Sequence, residues 1–399
     1  MEEVLRRHKN LNSIMNVEAR IIRRNSYKER EDFYESEEVI RERLPRTNPK
    51  TKIWRVSHHG ELSDGAKTQN RFIVKQFLSP GNFKASRYAY DFLKTLDHYS
   101  GKVPKVYPLD TNYGLLVLQD LGNGSLEKRF KDLRRNQSEL SEKAYHDNLI
   151  HFVELGLREL KTMHTAMNQS KIKSMIRGRF PSVERRLTRY FRLLRVPKDQ
   201  LKEYVKDHPG DELQFMEKLS KLREYLSGKE RGEDYPLWGD VKTSHFLIPK
   251  CEEPSSSEEI YMIDPDPALG PHELDIGPYL FSPSIRLPEE ELRDIYRKHY
   301  YSQDLSQPEN YKRELRTCFG GLFDILRRCA HIRKAAALYP QEFKNYSKQH
   351  EDYVNPELYR QRHQKLIDLM QGSEYHSLIN PEQLQEMRGV IGGVLVNAL

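Results

Sequence analysis

The spacing of apolar positions changes character about a third of the way along the chain. Residues 53–56 and 72–77 are short runs rich in β-branched and aromatic side chains. A polar stretch holding Gly60 and Gly65 separates them, so the pair reads as two strands and a loop. Tyr88, Phe92 and Leu96 then recur every four residues, which predicts a helix over 84–96. A third strand, 115–118, ends in the turn chemistry of Leu121-Gly122-Asn123-Gly124. Beyond about residue 125 the period is helical: Leu149, Phe152, Val153, Gly156, Leu160 and Met163 share one face of a long helix. Two brief strands, 246–248 and 260–263, flank the polar run 250–259, and further helices follow residue 287. No unit of 20–50 residues repeats, which excludes a solenoid.

This order predicts an α+β chain with a small β-rich lobe over 47–120 and a larger, mostly helical lobe over 121–399. Residues 1–46 are charged and helix-prone with sparse apolar positions, and read as an N-terminal extension. Of 399 residues, 37% are hydrophobic and 31% charged, and the net charge is +7. The 15 Phe and 23 Tyr supply the bulk that disordered chains lack. No run of 18 apolar residues is present, so no membrane span is expected. The N-terminus lacks the apolar core of a secretory signal. Three cysteines without CxxC spacing argue against a disulfide scaffold or structural zinc, and the expected compartment is the cytoplasm.

Three separated segments carry candidate chemistry. In Phe72-Ile73-Val74-Lys75-Gln76, Lys75 either holds a polyphosphate as a point charge or keeps an edge strand soluble. In Trp238-Gly239-Asp240-Val241-Lys242-Thr243-Ser244-His245, an acid precedes an apolar strand, where it can orient or deprotonate a hydroxyl. Tyr261-Met262-Ile263-Asp264-Pro265-Asp266 is an apolar strand ending in two acids, oxygen donors suited to Mg²⁺. Singly, each acid is equally a turn-capping Asp. An acid, a histidine five residues on, a hairpin and a second acid together make the layout of a phosphotransfer site.

At these residues the chain resembles the aminoglycoside phosphotransferase and choline kinase-like family, which has a two-lobed protein-kinase-like fold. The family's catalytic loop, HGD-four residues-N before an apolar strand, is matched by WGDVKTSHFLI, and its metal motif by Tyr261 to Asp264. The segment LLVLQDLG from Leu115 to Gly122 resembles the inter-lobe hinge that receives adenine. Leu160-Lys161-Thr162-Met163-His164 resembles the helix ending before the catalytic loop, and Glu273-Leu274-Asp275-Ile276-Gly277 the later segment that buttresses it. The match runs in the family's order over about residues 50–340. The resemblance implies ATP and Mg²⁺ as cofactors and transfer of the γ-phosphate to a hydroxyl of a small-molecule acceptor. It implies Asp240 as catalytic base, Asp264 as metal ligand and Lys75 as phosphate contact. Gln119, Asp120 and Leu121 would lie at the nucleotide, and Asp275 would support the catalytic loop.

The sequence departs from that pattern at four places. His245 stands where the family has a metal-binding Asn; it is either a ligand favouring softer ions such as Mn²⁺ or a histidine hydrogen-bonded to the loop. Trp238 replaces the histidine before Gly239. The phosphate-covering turn before Ile53 has no glycine, which leaves side chains such as Lys50 to approach the phosphates. The glutamate expected to pair with Lys75 is missing, and Asp91 is the acid between Gln76 and Leu96. These gaps leave open an alternative, a catalytically degenerate kinase-fold protein that binds nucleotide and an anionic partner.

Residues 171–198 hold ten basic side chains against Glu184 alone. Val183, Leu187, Tyr190, Phe191 and Leu194 form a stripe, with Ser182 as N-cap and Pro197 as stop, which predicts a helix over 182–195. Arg185, Arg189 and Arg192 lie on its opposite side. Such a face is either simply solvated or, because arginines without compensating acids repel one another, the site of a bound anion, which in the alternative reading is RNA or a phosphorylated protein. The same charge repels polycations, so a classical aminoglycoside is not the expected acceptor.

Overall fold

The structure is a computed structural model that describes residues 39–43, 51–61, 67–77, 80–107, 115–180, 235–249, 259–300, 308–338, 344, 347 and 355–371. Lys50, the helix over 182–195 with Arg185, Arg189 and Arg192, and most of the extension 1–46 lie outside the described residues. The described residues form two compact units. One holds the residues up to Asp91 together with Lys105–Asp120, and the other holds Phe92–Pro104 and the residues from Leu121 on.

The first unit is built on a five-stranded sheet in the order β1-β2-β3-β5-β4, from β1 (Val39–Arg43), β2 (Thr51–Glu61), β3 (Lys67–Phe77), β4 (Val106–Tyr107) and β5 (Leu115–Gln119). All neighbouring pairs are antiparallel. β2 and β3 form a long ladder that continues well past the apolar runs at their centres, because ladder hydrogen bonds do not require apolar side chains. The same reason makes residues 39–43 a strand, where the sequence reads as a helix-prone extension. Phe72 and Val74 are buried on one face of β3, against Val56, Val117 and the edge of the Tyr107 ring. Lys75 alternates to the other face. β3 lies between β2 and β5, with Lys75 opposite Ile53 and Leu116, so Lys75 is not the edge-strand lysine of the second sequence reading. Helix α1 (Pro80–Ser100) is longer at both ends than the four-residue spacing predicts.

Helices dominate the second unit: α2 (Leu126–Arg135), α3 (Glu142–Met167), α4 (Ser170–Arg179), α5 (Glu273–Leu280), α6 (Glu289–Tyr300), α7 (Pro308–Leu338) and α8 (Pro356–Met370). Ser125 caps α2 by accepting from Lys128 N, and Ser141 caps α3 by accepting from Ala144 N. The core-facing stripe of α3 is Leu149, Val153, Gly156, Leu157, Leu160, Met163 and Met167. Two short antiparallel pairs supply the remaining strands: β6 (Tyr235–Leu237) with β9 (Ala268–Gly270), and β7 (Phe246–Leu247) with β8 (Tyr261–Met262). No helix among the described residues is long and apolar enough to cross a membrane.

The short helix α5 is buried along its length and rests on α7 backbone to backbone. A Cβ on Gly277 would lie 2.2 Å from the Thr317 carbonyl oxygen and 2.7 Å from Gly321 N. Hydrogen is all that fits between these helices. The contact is reinforced by Arg313 of α7, whose Nε donates to Glu273 of α5 at 2.8 Å. At the far end of the unit, α8 is pinned through Arg362, which bonds the Glu289 carboxylate and the Ile285 carbonyl.

Replacing Gly277 by Ala should destabilise the protein by about 1–3 kcal/mol, since the clash is with backbone that cannot rotate away. Gly178 of α4 offers the control, because a Cβ there meets nothing within 4 Å. Gly178→Ala should gain about 0.5–1 kcal/mol from helix propensity. Urea unfolding midpoints at constant m-value measure both, and an unchanged midpoint for Gly277→Ala would refute the close-packed crossing.

Candidate active site

The loop between β6 and the single 3-10 turn at Thr243–His245 is short, polar and held from behind. Trp238 is fully buried, with its ring centroid 6.2 Å from that of Phe92. Gly239 has φ +90°, a left-handed conformation that glycine adopts without strain, and it turns the chain so that Asp240 follows directly. The amides of Trp238 and Gly239 both donate to the Asp275 carboxylate, at 2.6 Å to Oδ2 and 2.8 Å to Oδ1. His164 Nε2, from the end of α3, lies 2.9 Å from the same Oδ2. A carboxylate only accepts, so His164 carries its proton on Nε2. The His272 ring stacks on that of His164 at 4.0 Å.

Asp240 sits among cations. Lys242 Nζ is 2.7 Å from its Oδ2, and Arg327 Nη2, reaching from α7, is 2.7 Å from its Oδ1. Burial alone would raise the Asp240 carboxyl. Arg327 and Lys242, with His245 and Arg328 behind them, outweigh it and hold the carboxyl well below the usual range. Burial pulls the Lys242 ammonium down, against the opposing pull of Asp240. Asp240 is therefore an ionised, weakly basic acceptor at neutral pH.

His245 is buried, and its Nδ1 lies 2.8 Å from the Asp240 carbonyl oxygen. The carbonyl can only accept, so Nδ1 carries a proton, and Nε2 is the nitrogen that holds the lone pair whenever the ring is neutral. The loop role and the ligand role thus use different nitrogens, and the first orients the second.

Asp264, two residues beyond β8, has φ +57°, the one non-glycine residue at positive φ among those described. Such a conformation costs about 1–3 kcal/mol and is held by the surrounding structure. The holding contacts tie its segment to the Asp240 loop: Ile263 N donates to His245 O at 2.9 Å, Asp266 N to Trp238 O at 2.8 Å, and Trp238 Nε1 to Ile263 O at 3.2 Å. The two acid-bearing segments are one hydrogen-bonded assembly.

In the sheet unit, Lys75 is half-buried, and burial brings its ammonium down to about 8. Gln119 closes β5, its N donating to Lys105 O at 2.9 Å. The Asp120 side chain is engaged by Arg55 of β2, whose Nε donates to Oδ2 at 2.7 Å. Leu121 is buried, and Asp91 is half-buried on α1. Sequence reasoning missed Lys242, Asp324, Arg327 and Arg328. Lys242 lay inside a motif already in view. The spacing of Asp324 with Arg327 and Arg328 marks an ion-paired helix face, but nothing local links it to a loop more than 80 residues away.

Asp275→Asn keeps the shape but loses the charge from three hydrogen bonds, and its amide nitrogen would face a donor. It should cost about 2–4 kcal/mol of stability, measured by urea unfolding. A midpoint equal to wild type would show that Asp275 does not brace the loop.

No protein-family model matches the chain, and no curated protein does. Among solved structures, an ethanolamine kinase from Plasmodium vivax is 13% identical over 81% of this chain and 84% of its own, with a TM-score of 0.49. A choline kinase from Streptococcus pneumoniae is 14% identical over 83% and 94%, with a TM-score of 0.45. A thermostable aminoglycoside phosphotransferase, solved in a ternary complex with ADP and hygromycin B, is 10% identical over 84% and 96%, with a TM-score of 0.41. These three solved structures, to which the chain is similar, are small-molecule kinases and phosphotransferases.

Proposed function

We propose that the chain is an ATP-dependent phosphotransferase acting on a hydroxyl of a small acceptor that is not a polycation. The observation that carries this reading is the hydrogen-bonded assembly of the Asp240 and Asp264 segments, braced from behind by Asp275. Two carboxylates on tied segments suit a reaction that needs one group to aim a nucleophile and another to manage phosphate charge.

In this reaction the acceptor oxygen bonds to the γ-phosphorus as the bond from that phosphorus to the β–γ bridging oxygen breaks. The hydroxyl proton passes to Asp240 and then to solvent. Asp240, held ionised by Arg327 and Lys242, is a poor base and a good orienting acceptor. That suits a loose transition state, in which the proton leaves late. Asp264 offers the hard oxygen that Mg²⁺ prefers, and His245 Nε2 a softer donor that Mn²⁺ also accepts. The ion, when bound, neutralises charge on the phosphates. Lys75 is, by the family resemblance, the proposed phosphate contact. Three cations, Lys242, Arg327 and Arg328, stand at or next to Asp240 and disfavour a cationic acceptor.

Asp240→Asn should lower Mg²⁺-dependent ATP turnover by about 10²–10⁴-fold, because it removes the proton acceptor. ATP affinity should stay within about threefold, since Asp240 acts on the acceptor. Steady-state hydrolysis and calorimetric ATP binding test this together. Equal turnover in the variant would remove Asp240 from the mechanism, and nucleotide binding without turnover in the wild type would favour the degenerate binding protein.

Lys75 generates a pH prediction. Its ammonium is lowered to about 8, and only the charged form attracts phosphate. ATP affinity should be full below pH 7 and fall as pH rises through 8, by at most about tenfold per unit. Lys75→Arg stays charged throughout and should flatten the curve. A wild-type affinity constant from pH 7 to 9 would exclude Lys75 as a phosphate contact.

A further inference from the structure

Helix α7 carries Asp324, Arg327 and Arg328 within about one turn, all three side chains buried. The Asp324 carboxylate is shared between the two arginines. Arg327 Nε donates to Oδ1 at 3.0 Å and Nη2 bonds the same oxygen, while Arg328 Nε bonds Oδ2. The two guanidinium groups then reach adjacent residues of one loop. Arg327 Nη2 meets the Asp240 carboxylate at 2.7 Å, and Arg328 Nη2 donates to the Val241 carbonyl at 3.3 Å.

These contacts differ in kind. Gripping the Val241 carbonyl fixes the backbone, which is what holding a loop requires. The Arg327 charge beside Oδ1 of Asp240, an ion pair in which Oδ1 accepts no hydrogen bond among the described residues, holds one end of that side chain, and the loop's path does not need it. A buried arginine is a rigid, planar fork that cannot lose its charge, so it sets direction as well as attraction. Lys242, on Oδ2, is more exposed and has a flexible stem. Oδ2 is therefore the oxygen from which an incoming hydroxyl can displace a partner.

We propose that Arg327, anchored by Asp324, is a positioning residue that orients the Asp240 carboxylate toward the acceptor hydroxyl, whereas Arg328 contacts the backbone of the loop. This inference rests on the phosphotransferase reading above. It concerns orientation of the nucleophile, so it acts on the chemical step and leaves nucleotide binding alone.

The test uses the full-length chain with ATP and Mg²⁺, water serving as acceptor. Arg327→Met should lower kcat about 10–100-fold, the scale expected when a reacting group is misplaced. KM for ATP should stay within about threefold of wild type. Arg327→Lys, which keeps charge but not the fork, should recover part of the loss. Arg362→Met, at a buried arginine that pins α8 and does not touch the loop, should lower the urea midpoint while kcat stays within about threefold. Arg327→Met and Arg362→Met losing the same fraction of kcat and of stability would overturn the proposal, as both would then be structural. Should Arg327→Met not fold, Arg327→Lys decides: a reduced kcat at unchanged KM supports the proposal, and wild-type kcat overturns it. Turnover abolished by Asp240→Asn but untouched at Arg327 sinks the positioning role alone. A wild type without turnover sinks the phosphotransferase reading, and this inference with it.

Discussion

Burying the Asp275 carboxylate is the constraint on which the candidate site depends. A carboxylate removed from water is costly unless donors surround it, and here three converge: two consecutive backbone amides and one imidazole. The amides belong to the residues just before Asp240. Satisfying Asp275 therefore dictates where the chain turns and where the next side chain starts. The imidazole belongs to α3, so the same carboxylate ties the core-facing stripe of that helix to the loop. Asp275 is itself fixed because α5 meets α7 through glycine backbone, leaving no freedom to shift by one side-chain volume.

Helix α7 contributes to the site twice. Near its start it receives α5, through Gly320, Gly321 and the Arg313–Glu273 pair. Further along it presents the arginines that meet Asp240 and Val241. The loop is thus supported through Asp275 on one side and reached by charged side chains from the same helix on the other. Buried ion pairs contribute little net stability when desolvation is counted. Their effect here is on geometry and on charge: they keep Asp240 ionised and give it neighbours of opposite sign. The left-handed Asp264 fits the same logic. A strained residue persists where its neighbours are hydrogen-bonded on both sides, and the bonds to His245 and Trp238 supply that.

The sequence alone determined the strands at 53–56, 72–77 and 115–118, the long helix through Leu149 and Met163, and the order of the acid-bearing segments. These are local properties, carried by period, by turn residues and by the polarity of single side chains. The N-terminal strand at 39–43 was invisible because its pairing runs through backbone groups that every residue possesses. Which carboxylate would be buried as a brace was named only by resemblance, because a burial pattern says that Asp275 is enclosed by apolar neighbours but not which donors it meets.

Tertiary structure decided the rest. Whether Lys75 stood at an edge or in the middle of a sheet depended on β5, some 40 residues on, pairing beside it. Which nitrogen of His245 met the loop depended on where the Asp240 carbonyl came to lie. The charge state and direction of Asp240 depended on an arginine 87 residues away, brought in by a glycine crossing. Periodicity records which face of an element seeks burial; it holds no record of which distant side chain will share that burial, and the chemistry of a charged group is set by those neighbours.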